Sequence, residues 1–478
     1  MGAAPSVEPG LSSAAESDPR ILVMNQKKEQ APRDMSNDPQ LEPAAHSPAA
    51  SSGIGVTTGA LLIVANMIGV GVFTTTGFIV AAIPSPIAVL LAWVVGGVAA
   101  LCGALSYAEL GAALPHNGGE YRFLSRIFHP ALGFASGWAS LVVGFAAPLA
   151  LFSMFFGEYL NVLVPAIPPL AAGLVLIVAL AGLHSMHVGT GSWLHNVFTL
   201  GKVGLLVAFI GAGLFYGDLS RLTAQTDLSV ASALASPMFA VQLVYVSFAY
   251  SGWNTAAYLA GEFRRPTRDI PLAVLTGTAL VAVLYLGLNI VFLASAPLVE
   301  LRGQKEVAHV AAVSLFGEGA GKLVAFLIMA GLVSAASANI MAGPRVYEAI
   351  GQEYAAFRFL AIRPARRGPF MAIILQAVLA AVMMATASFE TLIKYVGVTL
   401  GLFAGATVLG VIVLRQREPG LARPYRTWGY PVTPVLFLAV EIWMIGFTVR
   451  ETPMTAVVSA GTIAAGLLLY VVVRPKKE

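Results

Sequence analysis

The stretch Ala65-Asn66-Met67-Ile68-Gly69-Val70-Gly71-Val72-Phe73 decides how this chain is read. It sits inside an apolar run, 54–82, long enough for two half-helices joined by an unwound stretch. Two glycines two residues apart are poor helix material, each costing about 1 kcal/mol relative to alanine. A second apolar run, 233–260, repeats the interruption as Phe248-Ala249-Tyr250-Ser251-Gly252-Trp253-Asn254. Irregular backbone at membrane depth survives only where it faces protein or a wet cavity. For Gly69 and Gly71 alone, close helix packing is an equal explanation. The recurrence at the first span of each half points instead to a transporter's binding site.

Composition sets the environment. Of 478 residues, 57% are hydrophobic and only 11% charged, and the mean hydropathy is +0.79. A soluble domain carries roughly 25% charge, so this chain cannot cover its surface with charged groups. It reads as an all-α polytopic membrane protein, which excludes a cytosolic enzyme, a secreted disulfide scaffold and a nucleic-acid binder. Cys102 is the one cysteine, so no intrachain disulfide exists. Residues 1–52 are rich in Ala, Pro, Ser and Glu and have no apolar h-region; they read as a disordered cytoplasmic tail. From Gly53 onward, apolar runs of the length that crosses a bilayer recur. Twelve spans are expected: 54–82, 86–113, 131–157, 169–186, 192–216, 233–260, 270–296, 318–343, 368–386, 389–414, 431–449 and 453–473. The alternating pattern of a transmembrane barrel is absent.

Lys and Arg set the expected orientation. With the tail cytoplasmic, 21 of the 28 basic residues fall on that side and six on the other, with Lys202 inside a span. A multi-pass protein of the cell membrane with both termini cytoplasmic is expected, ending in a basic tail, 474–478. The pI near 9.1 follows from this asymmetry rather than from a nucleic-acid surface.

Half-helix N-termini offer free N–H groups and partial positive charge to a carboxylate. Half-helix C-termini and unwound carbonyls suit an ammonium group or a cation. A cavity lined by both fits a zwitterion, and an α-amino acid carries both charges on one carbon.

The residues also resemble a known family. Gly69-Val70-Gly71-Val72-Phe73 resembles the Gly-x-Gly-(Ile/Val)-Phe motif in the first helix of amino acid permeases of the amino acid–polyamine–organocation (APC) superfamily. Phe248 to Asn254 is similar to the sixth-helix motif of its L-type (LAT-like) branch. Glu262 to Pro271, Ser106 to Leu110 with Pro115, Gly118-Gly119-Glu120-Tyr121, and Arg415 to Tyr425 resemble the family's loop segments. The likeness covers about residues 53–450. It implies a LeuT-type 5+5 inverted-repeat core over 53–414 (repeats 54–216 and 233–414, with discontinuous helices 1 and 6), then a linker and two peripheral helices over 415–473. It implies the substrate carboxylate on the main chain of Gly69, Val70 and Gly71. The α-amino group would lie near Ile68, Phe248, Ala249 and Ser251, with Phe248 as the gate. Where the L-type branch has Gly, this chain has Ser251, which narrows the pocket. The third-to-fourth loop has no cysteine, so no disulfide-linked heavy subunit is expected.

Intramembrane charge is costly and usually functional. Related permeases place a lysine where Lys202 stands, its ammonium filling the position of a coupling sodium ion. It would bridge Ile68 and Gly69 to Ser334 and Ser337; a snorkelling residue near the span end is the alternative. Phe145, Ser251, Asn339 and Phe403 are candidates for side-chain specificity, and Ser140 for the pocket wall. Glu109 is expected to pair with Arg122 or Arg268, Glu158 to be solvated, and Glu441 to be an oligomer contact or a paired core carboxylate. His184, His187 and His195 lack partners at metal-ligand spacing, so no metal and no cofactor is expected. The expected function is sodium-independent secondary transport of amino acids by alternating access, driven by proton symport or by exchange. The alternatives are a polyamine or organic amine carrier, disfavoured by the lack of acidic residues in either broken segment, and a nutrient sensor without turnover. No nucleophile–base pair or His-Glu-x-x-His suggests an enzyme. Membrane lipids and the amino acid are the expected partners.

Overall fold

The computed structural model describes residues 53–116, 118–186, 192–224, 228–362 and 369–473. The two expected tails, and His187 among the candidate residues, lie outside the described residues, as does the side chain of His195. The described chain is helical, in the order α1 Val56–Met67, α2 Gly71–Ala82, α3 Pro86–Ala113, α4 Gly119–Ile127, α5 Pro130–Ala139, α6 Ala146–Leu163, α7 Pro169–Met186, α8 Ser192–Tyr216, α9 Val230–Ala235 and α10 Pro237–Tyr250. There follow α11 Thr255–Tyr258, α12 Pro266–Ser295, α13 Leu298–Leu301, α14 Val307–Phe316, α15 Glu318–Glu353, α16 Phe370–Thr386, α17 Phe389–Arg417, α18 Val432–Glu451 and α19 Pro453–Val473.

The starts of these helices follow local chemistry. Proline opens α3, α5, α10 and α12, where its missing N–H would have no helical acceptor anyway. Ser236 caps α10 through the amide of Phe239 (3.3 Å) and Ser388 caps α17 through that of Thr391 (3.2 Å), each satisfying one orphan donor.

Among the described residues, nine helices are long and apolar enough to cross a membrane. The pair α1 and α2, bent by 42° at its break, makes a tenth. The other two expected spans correspond to shorter apolar helices, α10 and α16. The run 233–260 is not one helix but α10, an unwound stretch and the one-turn α11, with α9 ahead of it. Outward faces stay apolar, as at Val178, Leu468 and Val472, because lipid rather than water covers them.

The third span carries a π-turn over Ser140–Gly144, between α5 and α6. Such a turn widens the helix and displaces a carbonyl from its usual partner. The hydroxyl of Tyr347, on α15, donates to the Leu141 carbonyl at 2.7 Å.

One end of the bundle is rich in arginine, and ionic contacts hold it together. Glu109, 2% exposed at the foot of α3, accepts from Arg415 Nε (2.9 Å) and Nη2 (2.6 Å) on α17. It also accepts from the Thr427 amide and hydroxyl, both at 2.7 Å, with Arg423 3.6 Å away. The expected partners Arg122 and Arg268 are therefore replaced. Arg122 is drawn to Glu353 at the end of α15 (2.5 Å), and Arg126 grips Glu418 at 2.7 and 2.9 Å. At the opposite end Glu158 is not simply solvated but paired with Lys305. Glu441 is buried beside Gly401, and among the described residues its Oε2 has no hydrogen-bond partner; of the two expectations, an oligomer contact or a paired core carboxylate, the second is not met at that oxygen.

Removing one member of a buried charge pair leaves the other uncompensated. Glu109→Gln should lower stability by about 2 kcal/mol, allowing for the partial exposure of Arg415. Thermal unfolding of the detergent-solubilised protein reads this as a lower midpoint; an unchanged midpoint would contradict it.

Candidate functional site

The site is built on missing helical hydrogen bonds. Ile68 leaves the helix at φ −73°, ψ 81°, and the regular ladder stops there. The amides of Ile68 and Gly69 still find carbonyl acceptors, Val64 at 2.9 Å and Met67 at 2.8 Å. Among the described residues, no acceptor meets the amides of Val70, Gly71 and Val72. These three successive N–H groups stand at the N-terminal end of α2, where the helix dipole adds partial positive charge.

The second break supplies the opposite polarity. The Phe248 carbonyl is taken by the Ser251 amide (3.0 Å), and the Gly252 carbonyl by the Thr255 amide and hydroxyl (3.1 and 2.7 Å). The carbonyls of Ala249, Tyr250 and Ser251 accept no hydrogen bond from the described residues, nor do those of Ile68 and Gly69. Unpaired amides and unpaired carbonyls therefore occur in neighbouring segments.

Two glycines make that neighbourhood possible. A Cβ on Gly71 would lie 2.6 Å from the Cα of Ala249, so the two broken segments touch main chain to main chain. Gly252 sits at φ +106°, a conformation that side chains disfavour, and a Cβ there would lie 3.0 Å from the Asn66 carbonyl carbon. Asn66 and Ser251, at the two breaks, are both exposed, whereas Phe248 and Ala249 are buried.

Behind the breaks stands an aromatic wall. The Tyr285 hydroxyl donates to the Met67 carbonyl, and that of Tyr250 to the Trp93 carbonyl at 3.2 Å. Trp93, Tyr250 and Tyr285 pack on one another with ring centroids 5.2–5.7 Å apart. Edge contacts of this kind add about 1 kcal/mol each beyond burial. Tyr285 is a part of the site that sequence reading missed, because no local motif marks a tyrosine reaching across 218 residues to another helix.

Lys202 shares one cavity with the first break. The cavity is a small, partly open recess of about 30 Å³ between Ile68, Gly69 and Phe73, Lys202 and Leu206 on α8, and Gly331 and Ala335 on α15. No hydrogen bond or ion pair engages Lys202 among the described residues. Ser334 and Ser337 belong to the same helix as Gly331, but neither lines the cavity, and the Ser337 hydroxyl is held by His184 Nε2 at 2.8 Å. Asn339 is tied to Gln376 by an amide–amide hydrogen bond of 2.8 Å, and Gln376 also reaches the Phe145 carbonyl (3.3 Å). Phe403 packs with Leu124, Ala135 and Ala139. Ser140 is buried at the π-turn.

A buried polar cluster leads away from the second break. Asn254, the last residue before α11, donates to Glu120 Oε1 at 3.1 Å, and the Tyr107 hydroxyl donates to the same oxygen at 2.6 Å. Tyr258 hydrogen-bonds to Glu120 as well. Burial pushes the Glu120 carboxyl above the ordinary carboxylate range, and the three donors partly offset this. Trp253 stacks edge-on against Tyr107 with centroids 4.8 Å apart.

Discontinuous helices in a membrane bundle, with freed main-chain groups at the breaks, are the construction of a secondary transporter. Comparison with known proteins narrows this class. The model of the amino acid permease family matches residues 54–473, and the chain belongs to that family. It is 27% identical over 431 residues to a serine/threonine exchanger of Bacillus subtilis, covering 89% of this chain and 97% of that protein. It is 29% identical to the human b(0,+)-type amino acid transporter 1, covering 87% of each chain. It is also 29% identical to the mouse Asc-type amino acid transporter 1, covering 87% of this chain and 80% of that one. The family consists of transporters, not enzymes, and its LAT-like members are those the motifs resemble.

The main-chain contact at Gly71 leaves no room for a side chain, since overpacking against backbone cannot relax by a rotamer change. Gly71→Val should abolish substrate uptake while the protein still inserts into the membrane, measured as uptake per molecule at the cell surface. Unchanged uptake would contradict this placement of the site.

Proposed function

We propose that the protein exchanges amino acids with uncharged side chains across the cell membrane, by alternating access around 66–73 and 248–254. The observation that carries this reading is the run of amides at Val70, Gly71 and Val72 beside the carbonyls of Ala249, Tyr250 and Ser251, none of which meets a partner among the described residues. The amides suit a carboxylate, and the carbonyls, with those of Ile68 and Gly69, suit an α-ammonium group. Neither broken segment carries an acidic or basic side chain, which disfavours polyamines and charged amino acid side chains. Ser251, exposed at the break, would meet the substrate side chain, and Phe248 would close over it. The Bacillus subtilis relative named as a serine/threonine exchanger favours exchange over proton symport.

In this reading Lys202 takes the place of a coupling cation between the first and eighth spans. It shares a cavity with Ile68 and Gly69, and a cation in a mostly apolar recess is the arrangement that membrane proteins reserve for function. Ser334 and Ser337 are the candidate hydroxyls on α15 for contact with it, although Gly331 and Ala335 are the α15 residues that share its cavity. The two broken spans head two inverted repeats, 54–216 and 233–414. The arginine-rich end faces the cytoplasm, and both termini lie on that side. Cys102 is buried within α3, a place that does not offer its thiol to a disulfide with another chain.

Purified protein in liposomes loaded with unlabelled serine, threonine or alanine should take up the labelled amino acid. The rate should fall sharply when the internal amino acid is omitted and should not change when sodium is replaced by choline. Uptake that needs a sodium gradient, or that ignores the internal amino acid, would overturn the reading.

A further inference from the structure

The cluster around Glu120 does more than fasten a loop. Helix α4 lies between two groups of elements. Through Glu120 it holds Tyr107 on α3 and Asn254 and Tyr258 at the second break. Through Tyr121 and Arg122 it holds Glu353 at the end of α15, and through Arg126 it holds Glu418 beyond α17. Glu120 is 4% exposed, and every group that touches its carboxyl is neutral.

An ionised carboxylate is acceptor-only and can serve all three donors at once. Once protonated, it loses the charge that strengthens all three hydrogen bonds and becomes a donor itself, so the contacts from Tyr107, Asn254 and Tyr258 weaken or must reverse direction. Asn254 is half-buried, lies two residues beyond Gly252 at the end of the unwound stretch, and makes the longer contact, 3.1 Å against 2.6 Å for Tyr107, so it is the first to let go. Losing that contact frees the end of the substrate segment.

We propose that Glu120 is a proton-responsive latch that positions the second broken segment: ionised, it holds Asn254 and closes the arginine-rich end beneath the site, and protonated, it lets α11 move. This deepens the proposed transport function by giving its site a regulator, and it rests on that reading for its consequence, though not for its test. The other charged and titratable groups around the cluster are committed elsewhere. On α3, Glu109 is bound by Arg415 and Thr427. From α17, Arg417 donates to the Ile127 carbonyl (2.8 Å) and Thr407 bonds to Tyr107. From α11, Tyr258 is already in the cluster, and α5 has no titratable residue. On α4 itself, Arg122 and Arg126 are in ion pairs. His129, which follows α4, accepts from the Ala131 amide.

Trp253 reports on the latch directly, since its ring lies against Tyr107. The emission of the full-length protein in detergent, without substrate, is titrated from pH 8 to pH 4, with Trp253→Phe used to isolate the signal of that residue. A single-proton titration of the Trp253 signal is expected in the wild type, and none in Glu120→Gln. Tyr107→Phe removes one donor to the ionised form, so its midpoint should move to higher pH. Absence of the titration in the wild type, its survival in Glu120→Gln, or an unmoved midpoint in Tyr107→Phe would overturn the latch. If Glu120→Gln does not fold, the Tyr107→Phe shift decides alone. In liposomes, acidification should raise the KM for exchange by about tenfold, the scale of a lost hydrogen bond to a charged group, and a KM that does not follow the Trp253 titration would also overturn it. A Trp253 titration without amino acid transport would instead sink the transport reading and leave the latch standing.

Discussion

A main-chain amide or carbonyl inside a bilayer has no water to bond to, and leaving it unpaired costs several kcal/mol. The rest of this molecule depends on breaking that rule at two adjacent places. Among the described residues, Val70, Gly71 and Val72 meet no acceptor and Ala249, Tyr250 and Ser251 no donor, although of the two segments only Asn66 and Ser251 are exposed. In the proposed function a bound amino acid supplies what the helix does not. The glycines follow from this constraint: Gly71 brings the two main chains into contact, and Gly252 supplies the backbone turn that ends the second segment.

The surroundings hold the breaks in place. Tyr285 secures the Met67 carbonyl, so the first half-helix ends at a fixed point. The bridge from Ile54 to Glu262 and Arg264, with main-chain bonds of 2.9 and 3.0 Å, clips the entry of the first broken span to the exit of the second. Glu109 with Arg415, and Arg126 with Glu418, fasten the same end. Between these fixed points the unwound residues are the part with the fewest internal bonds, and local opening is cheapest where bonds are few.

Most of the architecture was legible in the sequence, for physical reasons. Spans such as 86–113, 169–186 and 453–473 are bounded by a proline at the start and by a polar or charged run at the end, so length and hydropathy alone locate them. Both breaks were visible because glycine is conspicuous in an apolar run. Other features depend on contacts that no local pattern encodes. Glu109 meets Arg415 across 306 residues, whereas the expected Arg122 is nearer in sequence but is drawn off by Glu353. The π-turn at Ser140–Gly144 has no glycine or proline inside its first four residues to announce it. Within the site, the main-chain positions followed from the motif, but the aromatic wall of Trp93, Tyr250 and Tyr285 and the Glu120 cluster exist only once the helices are packed.

The central claim is that main-chain groups of both signs bind one small zwitterion. It is tested most directly by competition for a bound, radiolabelled neutral amino acid on the purified protein, using the same amino acid free, as its methyl ester and as its N-acetyl derivative. The ester lacks the carboxylate and the N-acetyl form lacks the ammonium group. The account predicts that the free amino acid displaces the label and that neither blocked form does. Displacement by either blocked form at the concentration of the free amino acid would contradict it.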